Sequence, residues 1–243
     1  MLKSQYGNIF EHQDSYWWYK GMAEINSALL KKYLPKNKKL KILDVGCGPG
    51  AALLYLSRFG DVMGVDLSDD ALVYARKRGK VKKADISSLP FKNASFDVVA
   101  CLDVLYHQWV EDNKKALLEI KRVLKPGGIF LLREPAYDWF RSSEDVVDFT
   151  KHRFTKKEIE KELSESFKVL KITYANFFLF PLAFIKRIPQ VVGLQKKQNK
   201  SDFFGIHPIL NKILFTFINI ESKIIAEINF PFGTSVVAVA RKK

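Results

Sequence analysis

The sequence has little cysteine: Cys47 and Cys101 are the two thiols in 243 residues. Both fall in apolar or glycine-rich segments, which excludes a disulfide framework and suits a reducing compartment. Long apolar runs are also missing. The longest, Phe177 to Ile185, contains Pro181 and stops at Lys186, short of the roughly 18 residues that cross a bilayer. The first residues, MLKSQYGNIFEHQDSYWWYK, place no apolar core behind a basic head, so no secretory signal is expected. The expected location is cytoplasmic, with peripheral contact at a membrane surface left open. Histidine is sparse, and His12, His107, His152 and His207 are scattered. Without ligand-like spacing, no metal site is expected. No internal repeat or low-complexity tract is found. Acid is scarce beside base: 26 Asp and Glu against 40 Lys and Arg leave a net charge of +14. Such a field draws anions, whether nucleic acid, anionic lipid or a phosphorylated small substrate. The blander reading is a lysine-rich solvated surface.

What is present is an ordinary globular composition, 47% hydrophobic and 27% charged. Strand-like and helix-like segments alternate. Lys41 to Val45, Asp61 to Asp66, Val81 to Ala84, Phe96 to Leu102 and Gly128 to Arg133 read as strands. Phe96 to Leu102 is apolar throughout apart from Asp97, as a central parallel strand is. Helices are expected over Ala51–Arg58, over Asp69–Arg78 behind the N-cap Ser68, and over Asn113–Leu124. Pro126-Gly127-Gly128 stops the last of these. Thr155 and Glu158 form a capping-box pair for a helix to about Ser164. Phe167–Tyr174 and Thr234–Ala240 complete the strands. This alternation predicts a parallel α/β sheet with right-handed crossovers. Residues 1–36 read as an N-terminal helical extension and 37–243 as the main domain. Within the latter, 175–232 reads as an inserted helical cap: aromatic at Phe177, Phe178, Phe180 and Phe184, basic at Lys196, Lys197 and Lys200, then helical from Pro208 to Glu227.

The stretch ILDVGCGPG, residues 42–50, carries the chemistry. Gly46 and Gly48 permit positive φ and let a ligand approach the backbone, and Gly50 lets the next helix pack close. The turn alone does not choose its ligand. Gly46 to Ala51 also satisfies G-x-G-x-x-A, with Asp66 about 20 residues on, as in a dinucleotide site. Asp44 argues otherwise: a pyrophosphate has no use for a carboxylate there, whereas a sulfonium with an ammonium group does. Asp66, at a strand end, suits a pair of ribose hydroxyls. Asp85 suits an adenine amino group, with Ile86 packed on the ring.

In this order, ILDVGCGPG, GVDLS, ADISSLPF, FDVVACLDVLYH and RVLKPGGIFLL resemble the motif series of class I S-adenosyl-methionine-dependent methyltransferases. The resemblance is dense over residues 40–135, and SVVAVARKK resembles the closing antiparallel strand. It implies a Rossmann-like seven-stranded sheet with helices on both faces. It implies that Asp44, Gly46 and Gly48 bound the methionine end of the cofactor, that Cys47 and Gly50 belong to the same cofactor-binding turn, Cys47 as a small inert residue of it, and that Asp66 holds the ribose. Leu67, Asp85 and Ile86 would hold the adenine, and Leu102 and Asp103 would line the methionine moiety. The flanks resemble a type 11-like subgroup. Asp14-Ser15-Tyr16-Trp17-Trp18-Tyr19 resembles its "HWW" helix, and HRFTKKE, residues 152–158, its "HRRYTKKEL". Segments 135–139, 176–181 and 231–233 also resemble parts of that group. The subgroup usually has Glu-His after strand four, whereas this chain has Tyr106-His107.

At the acceptor, the protein has to align a nucleophile and remove its proton. His107 is the candidate general base, with loop packing as the plain alternative. Tyr106, Tyr137, Trp139, His152 and Arg153 are candidate acceptor contacts, and an arginine there suits a phosphate or carboxylate. Trp17, Trp18 and Tyr19 form either a lid over the cofactor or an anchor for the N-terminal helix. No Asn-Pro-Pro-Tyr-type run follows strand four, which counts against nucleobase amines. The expected function is methyl transfer to oxygen or nitrogen of a small-molecule or lipid-linked, glycan-type acceptor. The alternatives are an RNA methyltransferase, a non-catalytic cofactor-binding regulator or scaffold, and an NAD-dependent oxidoreductase. A homo-oligomer is left open.

Overall fold

The computed structural model describes residues 3–36, 39–192 and 205–243. Lys196, Lys197 and Lys200 of the expected basic run lie outside the described residues. The strands are β1 (Leu40–Val45), β2 (Gly60–Asp66), β3 (Lys80–Lys83), β4 (Phe96–Leu102), β5 (Leu124–Pro135), β6 (Phe167–Ala175) and β7 (Ser235–Lys242). They form one seven-stranded sheet in the order β3-β2-β1-β4-β5-β7-β6. β7 runs antiparallel between β5 and β6, and the other described pairings are parallel. Strand order reverses between β1 and β4. A doubly wound sheet opens its ligand crevice there, at the carboxyl ends of the strands. β1 and β4 sit mid-sheet and are buried on both faces, which explains their nearly unbroken apolar runs.

The helices are α1 (Lys3–His12), α2 (Trp17–Tyr33), α3 (Ala51–Leu56), α4 (Asp69–Ala75), α5 (Asn113–Val123), α6 (Ser143–Val147), α7 (Lys156–Ser164), α8 (Phe180–Val191) and α9 (Pro208–Ile224). Local chemistry fixes several starts. The Ser68 hydroxyl accepts from the Ala71 amide at 3.3 Å, and Thr155 and Glu158 close a capping box on α7. β5 begins at Leu124, four residues before the expected Gly128. Leu124 pairs with Phe96 and the ladder resumes at Val98 and Ile129, so Pro126 and Gly127 sit in an irregular strand entry.

Two helices precede the sheet and cover its crevice. α2 buries Met22, Ile25, Leu29 and Leu30 in the main core and lies against α9. Gly21 permits that approach, because an added Cβ would meet Ile218 Cγ2 at 2.4 Å. α1 is fastened to α4. Arg78 donates to both Asp14 oxygens, at 2.7 and 2.6 Å, and to the Phe10 carbonyl at 3.2 Å. Its guanidinium also lies 4.5 Å from the Phe10 ring centre.

Two buried glutamates hold the loops at the crevice end. The Glu134 carboxylate accepts from the amides of Val104, Leu105 and Tyr106, at 3.3, 2.9 and 3.1 Å. Glu221 of α9 accepts from the amides of Asn176, at 2.7 Å, and Phe178, at 3.4 Å. A buried amide left unpaired costs roughly 1–3 kcal/mol. Glu134→Ala orphans three of them, so its urea-unfolding free energy is expected to fall by about 3 kcal/mol or more. A loss within ±0.5 kcal/mol in that titration would show that the loop after β4 does not depend on Glu134.

Candidate active site

The turn after β1 adopts positive φ at Gly46, Gly48 and Gly50, +71°, +51° and +93°. Gly46 lies under Val104: an added Cβ would meet its Cγ2 at 2.4 Å. An added Cβ at Gly48 would enter open space, as a ligand-facing position requires. Gly50 does not line the cavity and packs on Ala75 of α4. The Cys47 thiol is buried, and burial pushes its pKa up, so it is inert filling in the turn.

A cavity of about 540 Å³ opens on this turn. Asp44 forms its floor, 1% exposed. Asp44 Oδ2 is buried with no hydrogen-bond partner among the described residues. Burial first, and then the nearby Asp66, push the Asp44 pKa up to about 7, against a smaller pull from Arg133. Asp66 ends β2, and its two oxygens accept from the amides of Gly48, at 2.8 Å, and Ser68, at 2.9 Å. Burial raises its pKa, and those amides oppose the rise. Leu67 is 51% exposed, yet lines the cavity with Ala84, Asp85 and Ile86. Asp85 is exposed at this edge, and one oxygen accepts from the Ser87 amide at 2.7 Å and hydroxyl at 2.5 Å. This donor set fits S-adenosyl-methionine. An orphaned carboxylate oxygen suits an ammonium, Asp66 a diol, and the exposed leucine with Ile86 a flat purine.

The wall toward β4 is built from a charged pair. Asp103, at φ +58°, and Arg133 form an ion pair at 2.5 Å, and the Asp103 amide donates to the Arg133 carbonyl at 2.7 Å. The Arg133 guanidinium lies 5.0 Å from the Trp18 ring centre. Trp18 and Leu102 also line the cavity, as do Gln5, Tyr6, Ile9 and Gln13 of the N-terminal segment.

The far end carries Tyr19, Tyr106, His107, Trp109, Glu144, Asp145, Asp148, Thr150, Arg153 and Arg187. His107 Nδ1 lies 2.6 Å from the Asp148 carbonyl. A carbonyl only accepts, so Nδ1 carries the proton and Nε2 the lone pair. Burial pulls the His107 pKa down to about 4. Asp148 moves the other way, up to about 7, through burial and then Glu144, while a hydrogen bond from Tyr106 opposes.

Not every expected acceptor contact reaches this space. Tyr137 and Trp139 do not line the cavity. They stack on each other, with Tyr137 also against Tyr174. His152 is also outside it, 3.2 Å from Glu158 and 3.8 Å from Asp138, because the start of α7 turns it away. Arg153 lines the cavity but is committed to Asp145 at 2.6 Å and to the Ala136 carbonyl at 3.2 Å. Trp17 anchors α2: its amide donates to Asn211 Oδ1 of α9 at 2.8 Å. Sequence reading missed Arg133, Glu134, Asp148 and the cavity-facing side of α1. A charged Arg-Glu pair closing the apolar run Ile129–Leu132 was the available signal for the first two.

The family model described as "Methyltransferase domain" matches residues 43–132, which hold the turn, Asp66, Asp85 and Asp103. An uncharacterized protein of Methanocaldococcus jannaschii is 35% identical over 174 residues, 68% of this chain and 70% of its own. A malonyl-[acyl-carrier protein] O-methyltransferase of Erwinia billingiae is 36% identical over 118 residues, 47% of this chain and 46% of its own. The chain spans about half the length of the first curated relatives it matches. In fold, it resembles a putative methyltransferase of Haloferax volcanii, solved with its Trm112 activator. The TM-score is 0.62 and the identity 18%, over 99% of this chain and 93% of that one. Together with the ordered motifs, the sheet order and the cavity, these likenesses place the chain in the class I S-adenosyl-methionine-dependent methyltransferases.

Proposed function

We propose that the protein transfers a methyl group from S-adenosyl-methionine to the nitrogen of an amine-bearing small or lipid-linked acceptor. The observation that carries the acceptor class is the sign of the cavity. Asp44, Asp66, Asp70, Asp85 and Asp103 line its cofactor half, and Glu144, Asp145 and Asp148 the other. Against them stand Arg133, Arg153 and Arg187, and among the described residues no lysine lines the space. This is the reverse of the +14 on the whole chain. A cationic or amine ligand is favoured in such a space, and a phosphate is repelled. The RNA reading loses support for the same reason.

When bound, the cofactor supplies a methyl carbon activated by positive sulfur. The chain's own groups do the rest. Asp44 accepts from the ammonium, Asp66 from the ribose, and Asp85 from the adenine amine, between Leu67 and Ile86. Gly46 and Gly48 keep the backbone clear. Trp18, held by Arg133 and Asp103, walls the methionine end. Tyr19 and Tyr106 exclude water around the acceptor. An amine arrives as ammonium and has to lose a proton before it attacks. Asp148, poised near neutrality, matches that task better than His107, whose conjugate acid is too strong to hold a proton. His107 then orients the Asp148 segment through its carbonyl.

S-adenosyl-homocysteine release with a panel of amines tests this reading, and no release with any amine counts against it. Turnover is expected to rise as pH passes about 7, when Asp148 ionises. Asp148→Asn should lower kcat by about 10²-fold or more, as loss of a general base does, with cofactor affinity nearly unchanged. His107→Gln should cost less. The reverse ranking in steady-state kinetics restores His107 as the base.

Asp44 gives a second prediction. Its folded pKa of about 7 lies above the ordinary 3.8. Between these values the folded state holds the proton more tightly, so stability falls as pH rises through that window and stays low above it. Each unit is worth about 1.4 kcal/mol. Asp44→Asn is expected to raise the melting temperature of the cofactor-free protein at pH 8, and to flatten its decline between pH 5 and 7. Calorimetry should show that the same substitution abolishes cofactor binding. Retained affinity would remove Asp44 from the site.

A further inference from the structure

α8 and α9 carry more exposed apolar surface than packing among the described residues explains. In α8, Leu182, Ile185 and Ile188 recur at helical spacing and are 55%, 65% and 38% exposed. Phe184 is exposed beside them, and its ring meets that of the exposed Trp139, centres 6.1 Å apart. α9 buries one stripe, Leu214, Ile218 and Glu221, against the body of the protein. It shows a second stripe, Ile209, Ile213, Phe217 and Ile220, to solvent. A solvent-facing helix ordinarily has a polar outer face.

The charge of these helices selects what covers them. Outside the cavity they hold Lys186, Lys212 and Lys223 against one acidic residue, Glu221, while Arg187 turns to the cavity and the Phe140 carbonyl. Glu221 is fully buried, where it accepts loop amides. The exposed surface of both helices is therefore apolar and basic, on a chain of net charge +14. Apolar helices flanked by lysine, with an exposed tryptophan, suit the headgroup boundary of an anionic bilayer. Neither helix is long and apolar enough to cross it. A second copy of the chain would bring the same positive charge to the contact. α8 borders the cavity, and α9 is tied to the helix that walls it. Arg187 of α8 lines it, and Asn211 of α9 holds the Trp17 amide beside the cavity residues Trp18 and Tyr19.

We propose that the exposed faces of α8 and α9 dock the protein on the surface of an anionic phospholipid bilayer. The reading stands apart from the acceptor class, since neither face contributes the groups that hold cofactor or proton. Co-sedimentation with phosphatidylcholine vesicles, with and without one-quarter phosphatidylglycerol, tests it. Wild type is expected to partition at least tenfold more strongly onto the anionic vesicles and to come off as salt rises. Ile185→Glu with Ile188→Glu should reduce that partitioning at least tenfold while cofactor affinity by calorimetry stays the same. On wild type, anionic vesicles should shift tryptophan emission to the blue, a shift reduced by Trp139→Phe. This second readout serves if the double variant does not fold. No partitioning onto anionic vesicles overturns the proposal. So does partitioning that the double variant leaves intact, or a wild-type dimer that the same two substitutions dissociate.

Discussion

One buried oxygen organises this molecule. Asp44 Oδ2 lies at the end of a central strand, out of water and without a hydrogen-bond partner among the described residues. An ionised carboxylate there is costly, and the rise of its pKa to about 7 expresses that cost. A cation arriving from solvent would relieve it. The folded chain thus holds an instability that a bound cation would offset, and the surrounding architecture maintains it. β1 and β2 bring Asp44 and Asp66 to the same crevice, and α1 and α2 keep water away.

The walls of the cavity depend on buried polar anchors more than on regular structure. The loop after β4 hangs from Glu134, and its first residue, Asp103, is strained at positive φ and tied to Arg133. The segment after β6 hangs from Glu221 in the same way. Each glutamate satisfies amides that would otherwise be orphaned in a packed interior. Arg78 does comparable work outside, holding α1 on α4 so that the N-terminal segment reaches the cavity. The result is a negative pocket inside a positive protein.

Much of the fold was readable from residue order. Strand periodicity, the glycine turn and the caps at Ser68 and Thr155 each depend on neighbours a few residues away, so the chain states them directly. In the sequence Pro126 and Gly127 read as punctuation before β5, whereas pairing with β4 absorbs them as an irregularity. That Asp44, Asp66, Asp85 and Asp103 line one cavity was foreseeable for the same local reason: they sit at or just after strand ends, one per motif. The acceptor half was not. Tyr137, Trp139 and His152 are near the crevice along the chain, but stacking on Tyr174 and the start of α7 turn them away from it.

Residue types and spacing were thus enough to specify a doubly wound sheet, a glycine turn and a carboxylate at the end of β1, because these are local and strongly patterned. Which groups titrate near neutrality, and which face the acceptor, came only with folding. Burial pulls His107 down and pushes Asp148 up, and burial is a sum over distant segments. Asp148 stands out only when α6 brings it against Tyr106 and the His107 ring. The chain announces its methyl donor in one short stretch, whereas the acceptor end is assembled from segments that meet only in three dimensions.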